Sequence, residues 1–289
     1  MTPAPEEVRL GPPPVAGSLP VGAPGKRGLL DLVVARDGAR SVVTRRRTSA
    51  PLHLMRPLYC DPALPNVPVC YVMSSGGGIV GGDRLELRAA VRDGAHAVVT
   101  TQASTRVYRS DAGHAEQRVT LAVGAGAVCE WVPDPLVPYA GSRFHQRCEA
   151  VVHPDGVLAL ADVVTAGRVA RGETWGLGAY VSELEVARPD GRPVLVDHAR
   201  LLGAERGGGP AVTGGATVVG TLVVVAPGGP RALVEALRDS APGAAASFLP
   251  DDAGRGSGCS ATTSRTSAAA CTPPGTPPAA CTPGLQPPI

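Results

Sequence analysis

Two carboxylates in this sequence sit where an acid needs a physical reason to be. Asp83 follows the run Gly76-Gly77-Gly78-Ile79-Val80-Gly81-Gly82, and Glu173 closes the run Gly167-Arg168-Val169-Ala170-Arg171-Gly172, just ahead of Thr174-Trp175. A carboxylate in an apolar setting is costly unless it is paired, solvated or lining a polar path. Five glycines ahead of Asp83-Arg84 suggest a phosphate cradle, but neither Gly-Lys-Ser/Thr nor a helix start follows. A sharp backbone path between strands, where only glycine fits, is the plainer explanation. Near Glu173, the plainer explanation is an ion pair with Arg171, two residues away.

Two further stretches collect groups that hold a partner. Thr100-Thr101-Gln102-Ala103-Ser104-Thr105-Arg106-Val107-Tyr108-Arg109-Ser110 is rich in hydroxyls and carries an amide and two guanidiniums. On a strand, Arg106 and Tyr108 share one face and Val107 and Arg109 the other. A solvated sheet face accounts for this pattern as well as a partner surface does. Cys129-Glu130-Trp131-Val132-Pro133-Asp134 again sets a carboxylate beside a tryptophan. Arg106, Tyr108, Arg109, Glu130 and Trp131 are thus the candidate partner-binding residues. The histidines are scattered, with no His-x-x-x-His and no His/Cys pair at finger spacing, so no fixed structural metal site is expected. Transient contact of a cation with carboxylates and water stays open. Neither Gly-x-Ser-x-Gly nor a Ser–His–Asp trio can be placed, so the sequence bears no enzyme signature.

The elements that must position these groups are strands. Asp-Gly pairs at 37–38, 93–94, 155–156 and 190–191 each lie between short alternating apolar runs, and Gly124-Ala125-Gly126 marks a fifth return. Asp-Gly accepts positive φ, so the series predicts five hairpins and a β-rich fold, with no visible long-period repeat. Residues 218–225 read as a buried strand. The one helical face, through Leu233, Ala236 and Leu237, predicts a helix over 231–239.

Composition bounds the class. The 289 residues are 44% hydrophobic and 18% charged, so most of the chain can bury a core. A net charge of +2 and 3% aromatic residues argue against a nucleic-acid binder, and no apolar run is long enough for a membrane span. All the basic residues but Lys26 are arginine, which with 37 Gly and 30 Pro fits a GC-rich gene. Seven cysteines without CxxC spacing, and a start unlike a signal peptide, point to a reducing, cytoplasmic location. Three regions separate: a flexible Pro-rich arm over 1–27, a β-rich domain over 28–250, and a low-complexity tail over 251–289 that is expected to be disordered.

Each motif is weak alone, but their order is distinctive. The series running from Gly77 to Asp83, from Thr100 to Ser110, from Gly126 to Pro133 and from Gly167 to Glu173 resembles the urease accessory protein UreD family, called UreH in some bacteria. Gly28-Leu29-Leu30 and Ala50-Pro51-Leu52-His53 are similar to the family's opening. The likeness covers about residues 28–250.

The resemblance implies a non-catalytic urease maturation factor. With the helical partner UreF, and through it the nickel-carrying GTPase UreG, such a protein docks on apo-urease and assists nickel insertion. It implies a β-helix-like single domain with few helices near the C-terminus, and no tightly bound cofactor but nickel in transit through a water-filled path. Asp83 and Glu173 occupy positions tied to that path. The alternative is a β-rich ligand- or carbohydrate-binding module, for which exposed aromatics are few. Beyond Gly254 the family pattern stops, and the Thr/Ala/Pro/Cys-rich remainder reads like a shifted frame.

Overall fold

Strict apolar–polar alternation governs the strands that form the middle of the molecule. In β5 (Arg84–Val91), Leu85, Leu87, Ala89 and Val91 are buried while Glu86 and Arg88 face outward. β8 (Ala115–Val123) and β11 (Arg143–Val152) repeat the pattern, β13 (Ala179–Ala187) follows it from Ser182 onward, and these strands pair in parallel in the order β5, β8, β11, β13. β1 (Arg27–Asp37) pairs in parallel with β5, and antiparallel strands β2 (Arg40–Ser49) and β14 (Pro193–Leu202) close the two ends of this seven-stranded sheet. This computed structural model describes residues 25–111, 113–203, 209–228, 231–240, 245–249 and 258–264.

A second sheet lies opposite. β4 (Val69–Ser74), β6 (His96–Thr101), β9 (Val128–Trp131) and β12 (Val157–Thr165) form its parallel centre. β3 (Leu52–Leu54) flanks it on one side, and β15 (Val218–Val225), β17 (Gly258–Ser264) and β16 (Ala245–Phe248) on the other. Short β7 (Thr105–Val107) and β10 (Leu136–Pro138) attach beside β12. The chain therefore winds from one sheet to the other and back: β5 to β6, β8 to β9, β11 to β12. This is a β-solenoid, and one apolar core drawn from both sheets fills most of its interior.

The mainly β class is as the sequence indicated, but the turns do different work. Only Asp37-Gly38 and Asp190-Gly191 make hairpins, between β1 and β2 and between β13 and β14. Those at 93–94, 124–126 and 155–156 are corners that carry the chain across to the opposite sheet. The local code for reversal is the same, with Gly94 and Gly126 at positive φ, but it does not say whether the reversal stays within a sheet. The corners also stack: the Gly94 N–H donates to the Ala125 carbonyl and the Gly124 N–H to that of Val91. They recur at Gly94, Gly126 and Gly156, a long period that the sequence reading did not see.

At the C-terminal end are α1 (Pro210–Thr213), unforeseen, and α2 (Arg231–Ser240), the expected helix. α2 sets Val234 and Leu237 against Ala161, Leu222 and Ala246. β15 matches the strand read over 218–225. Of the arm expected over 1–27 only Gly25, Lys26 and Arg27 are described, and Arg27 opens β1. The tail expected over 251–289 mostly lies outside the described residues. Its segment Gly258–Ser264 differs from the expectation, pairing as a strand with β15 and β16.

Candidate functional site

The winding brings three of the four motifs and the edge of the other to one side of the solenoid. Opposite the tight corners, each coil returns through a longer connection, and these connections stack. Ile79 bridges to Val107, and β7 pairs with β10 through Arg106 and Val137. Side chains extend the contact. The Tyr108 hydroxyl donates to the Gly77 carbonyl at 3.1 Å, and its ring meets that of Tyr139 edge-on at 5.2 Å. The Arg168 guanidinium lies over the other ring of this pair, Tyr139, at 4.1 Å. A side chain at Gly78 would place its Cβ 2.6 Å from the Tyr108 ring, so glycine there lets the ring dock.

Asp83 is 1% exposed and fully engaged. Oδ1 accepts the N–H groups of Gly25 and Lys26, at 3.0 and 2.8 Å. Oδ2 accepts the Val80 N–H and lies 3.2 Å from Lys26 Nζ. This carboxylate fastens the chain entering β1 to the glycine-rich turn.

Glu173 pairs with Arg168, not with Arg171, which is exposed on a 3-10 turn (Val169–Arg171). Both Glu173 oxygens accept from the Arg168 guanidinium, and Oε2 also accepts the Ala140 N–H. The loop geometry decides the partner: the 3-10 turn carries Arg171 away while Arg168 stays at its base. The hydrogen bonds from Arg168 lower the carboxyl pKa against a smaller opposing effect of burial. The loop ends on Trp175, whose φ of 54° is rare for a bulky residue. That conformation is held by burial and by a hydrogen bond of 2.8 Å from indole Nε1 to the Ala216 carbonyl.

The expected partner-binding residues separate. Arg106, Tyr108 and Arg109 share the long-loop side, Arg106 and Arg109 exposed, with Arg109 paired to Asp111. Glu130 points outward from β9 to His96, at 2.7 Å. Trp131 points the other way and is 5% exposed, so it is a wall of the interior rather than a surface for a partner. Alternation along β9 forces that split.

The wall belongs to a polar interior. A cavity of about 320 Å³ opens between Met73, Gly78, Gln102 and Arg106. It shares Thr101, Thr105, Gln117 and Trp131 with a narrower space of about 30 Å³ that continues to Gln146, Asp162 and Ser182. Gln117, Gln146 and Ser182 are stacked neighbours in register on β8, β11 and β13. Asp162 faces them from β12, accepting from the Tyr180 hydroxyl at 3.3 Å and Ser182 Oγ at 3.2 Å. Burial raises the Asp162 pKa, with hydrogen bonds from Gln146, Ser182 and Tyr180 opposing the shift. Among the described residues no basic side chain pairs with it. Such an acid attracts a cation or holds a proton. Sequence reading missed Asp162 because Leu160-Ala161-Asp162-Val163 looks like an ordinary apolar strand; the signal was a lone acid at an inward position.

The buried cysteines contribute packing, not chemistry. Cys70, Cys129 and Cys148 are buried thiols, and burial pushes Cys70 and Cys129 up to about 12.

A two-sheet β-solenoid with its motif loops on one side and a polar, acid-lined interior defines a narrow class of protein. Comparison with known proteins supplies the family. The profile of the UreD urease accessory protein family matches residues 26–273. The urease accessory protein UreD 2 of Streptomyces griseus is 39% identical over 248 residues, 83% of this chain and 85% of that protein. UreD of Cenarchaeum symbiosum is 35% identical over 73% of this chain and 74% of its own length, and that of Haloarcula marismortui 36% identical over 81% and 80%. The chain belongs to the UreD urease accessory protein family. The match runs past Gly254, where the sequence reading saw the family pattern stop.

Proposed function

We propose that this chain is a non-catalytic, cytoplasmic urease maturation factor. With UreF, and through it UreG, it docks on apo-urease and assists nickel insertion, holding nickel only in transit. Family membership carries the reading, and the polar interior supports a route for the ion. Carboxylate, amide and hydroxyl oxygens along Gln117, Gln146, Asp162 and Ser182 can replace part of a hydrated cation's shell without the thiolate or imidazole set that would trap it. Asp162 supplies the one charge of that row. Arg106, exposed at the larger cavity, and Arg109, exposed on the same long-loop side, are the groups that meet a partner. Glu173, held by Arg168, keeps the neighbouring loop in place; Asp83, with no free oxygen, anchors the entrance to β1.

The test is urease activity in cells that co-express the urease subunits and accessory proteins at limiting nickel. Asp162→Asn at wild-type protein level is expected to lower activation severalfold, and excess nickel to restore part of it. Unchanged activation in that variant would overturn the interior route.

A further inference from the structure

We propose that His114, Glu116 and His145 form a divalent transition-metal site on the outer face of the seven-stranded sheet, separate from the interior. Parallel pairing creates it. His145 lies beside Glu116 in the β8–β11 register, and His114 immediately precedes β8 on the same outward side as Glu116. One potential ligand atom from each residue falls within 4.8 Å of the other two. None of the three lines either cavity.

The ring nitrogens distinguish this cluster from an ordinary ion-pair network. His114 Nε2 lies 3.1 Å from Glu116 Oε1, but the buried Nδ1 of His114 has no hydrogen-bond partner, and neither does the buried Nε2 of His145. The His114 side chain is only 8% exposed, so an unpartnered nitrogen there is unusual. Glu183, with Oε2 at 3.4 Å from His145 Nε2, stands ready as a fourth ligand or as the partner that orients the ring. Two imidazoles and a carboxylate suit borderline cations, Ni²⁺ and Zn²⁺, rather than Mg²⁺ or Ca²⁺. Arg84, 3.5 Å from Glu116 Oε2, and Arg147, 3.8 Å from Glu183 Oε2, compete for the same carboxylates, which favours a site that exchanges its ion over one that locks it.

The experiment uses the purified, metal-free full chain, titrated separately with NiCl₂, ZnCl₂ and MgCl₂ by calorimetry and equilibrium dialysis. One equivalent of Ni²⁺ or Zn²⁺ per chain is expected, and no Mg²⁺. His145→Gln and Glu116→Gln, both partly exposed positions, should each weaken it by roughly tenfold or more, as loss of a ligand demands. Co²⁺ loaded into the wild type should show imidazole-ligated absorption that His145→Gln removes. Asp162→Asn should leave this equivalent unchanged, so failure here is distinguishable from failure of the interior route. Absence of a saturable equivalent in the wild type, or binding untouched in both variants, would overturn the proposal.

Discussion

Each coil of this solenoid closes twice, and the two closures are built differently. On the short side, the corners around Gly94, Gly126 and Gly156 stack chiefly through backbone hydrogen bonds, with Asp93 Oδ1 accepting the Ala125 N–H as a side-chain link between two of them. On the long side, Asp83, Tyr108, Tyr139 and the Arg168–Glu173 pair hold the connections in place by side-chain contacts. A corner closed by backbone hydrogen bonds constrains residue type only where the turn itself demands it, as at Gly94 and Gly126 with positive φ and at Gly124 where a Cβ would clash. A loop closed by side chains depends on those residues for its path but leaves the ones between them free to face solvent, and the exposed guanidiniums of Arg106 and Arg109 and the cavity opening lie on that side. In this molecule the regular turns and the motif loops with their candidate functional groups occupy opposite sides of the same coils.

The largest effect should come from the buried carboxylate of the long side. Asp83→Ala leaves three N–H groups and Lys26 without their acceptor. The buried position predicts a loss of about 3 kcal/mol, at the lower end for a broken buried pair because Lys26 keeps 24% exposure. The denaturation midpoint measures it. Urease activation should fall only in proportion to folded protein; a larger fall at equal folded level would mean that Asp83 does more than fasten β1.

Next comes the short side. A Cβ at Gly124 would sit 2.2 Å from Asp93 Oδ1 and 2.8 Å from the Asp93 backbone nitrogen. Gly124→Ala should therefore cost about 2 kcal/mol by overpacking. Gly126→Ala meets nothing within 4 Å but must hold a φ of +59°, and should cost about 1 kcal/mol. Equal effects from the two variants would mean that the corners do not stack as tightly as the backbone bonds suggest.

Much of this was legible in the sequence, and the failures share a cause. Strand positions, α2 and the inward alternation follow from local pattern, which the chain states residue by residue. Strand partnership does not. Asp93-Gly94 and Asp190-Gly191 are chemically alike, yet one passes between sheets and the other folds back within one. The spacing from Gly94 to Gly126 to Gly156 was the clue, because a parallel coil repeats its corners. The same register joins Glu116 to His145, 29 positions apart, and Gln117 to Gln146, so both the histidine–glutamate cluster and the polar row are invisible to short-range motif reading. Arg168 displaced Arg171 as the partner of Glu173 for a similar reason: a 3-10 turn, not sequence distance, sets which guanidinium is near.

Between the two sides, Asp162 should respond with the opposite sign. Its raised pKa means the folded chain holds a proton to higher pH than the unfolded chain does. Stability therefore declines as pH rises past the ordinary carboxylate value, about 4. Asp162→Asn should remove that decline and leave the protein as stable as wild type or more so at pH 7, while impairing activation. Thermal melts from pH 4 to pH 8 check it; a variant less stable than wild type at pH 7 would show that the charge is compensated in the fold.

The smallest expected effect belongs to Glu173, which is partly solvated and paired on a loop. Its carboxyl pKa is lowered in the folded chain, chiefly by the Arg168 hydrogen bonds, so its contribution is present above the ordinary carboxylate pKa, about 4.3, and is lost as pH falls through the lower folded value. Glu173→Gln and wild type should therefore converge in stability in acid and separate slightly at neutral pH. Arg171→Ala should track the wild type throughout, since that guanidinium is exposed and is not the partner. Arg168→Ala should do more than Glu173→Gln, because it also removes the cation from the Tyr139 ring and leaves the carboxylate unpaired. If Arg171→Ala instead reproduced the loss seen with Glu173→Gln, the pair would be Arg171–Glu173, and the long side would be closed by the 3-10 turn itself rather than by the ladder of Tyr108, Tyr139 and Arg168.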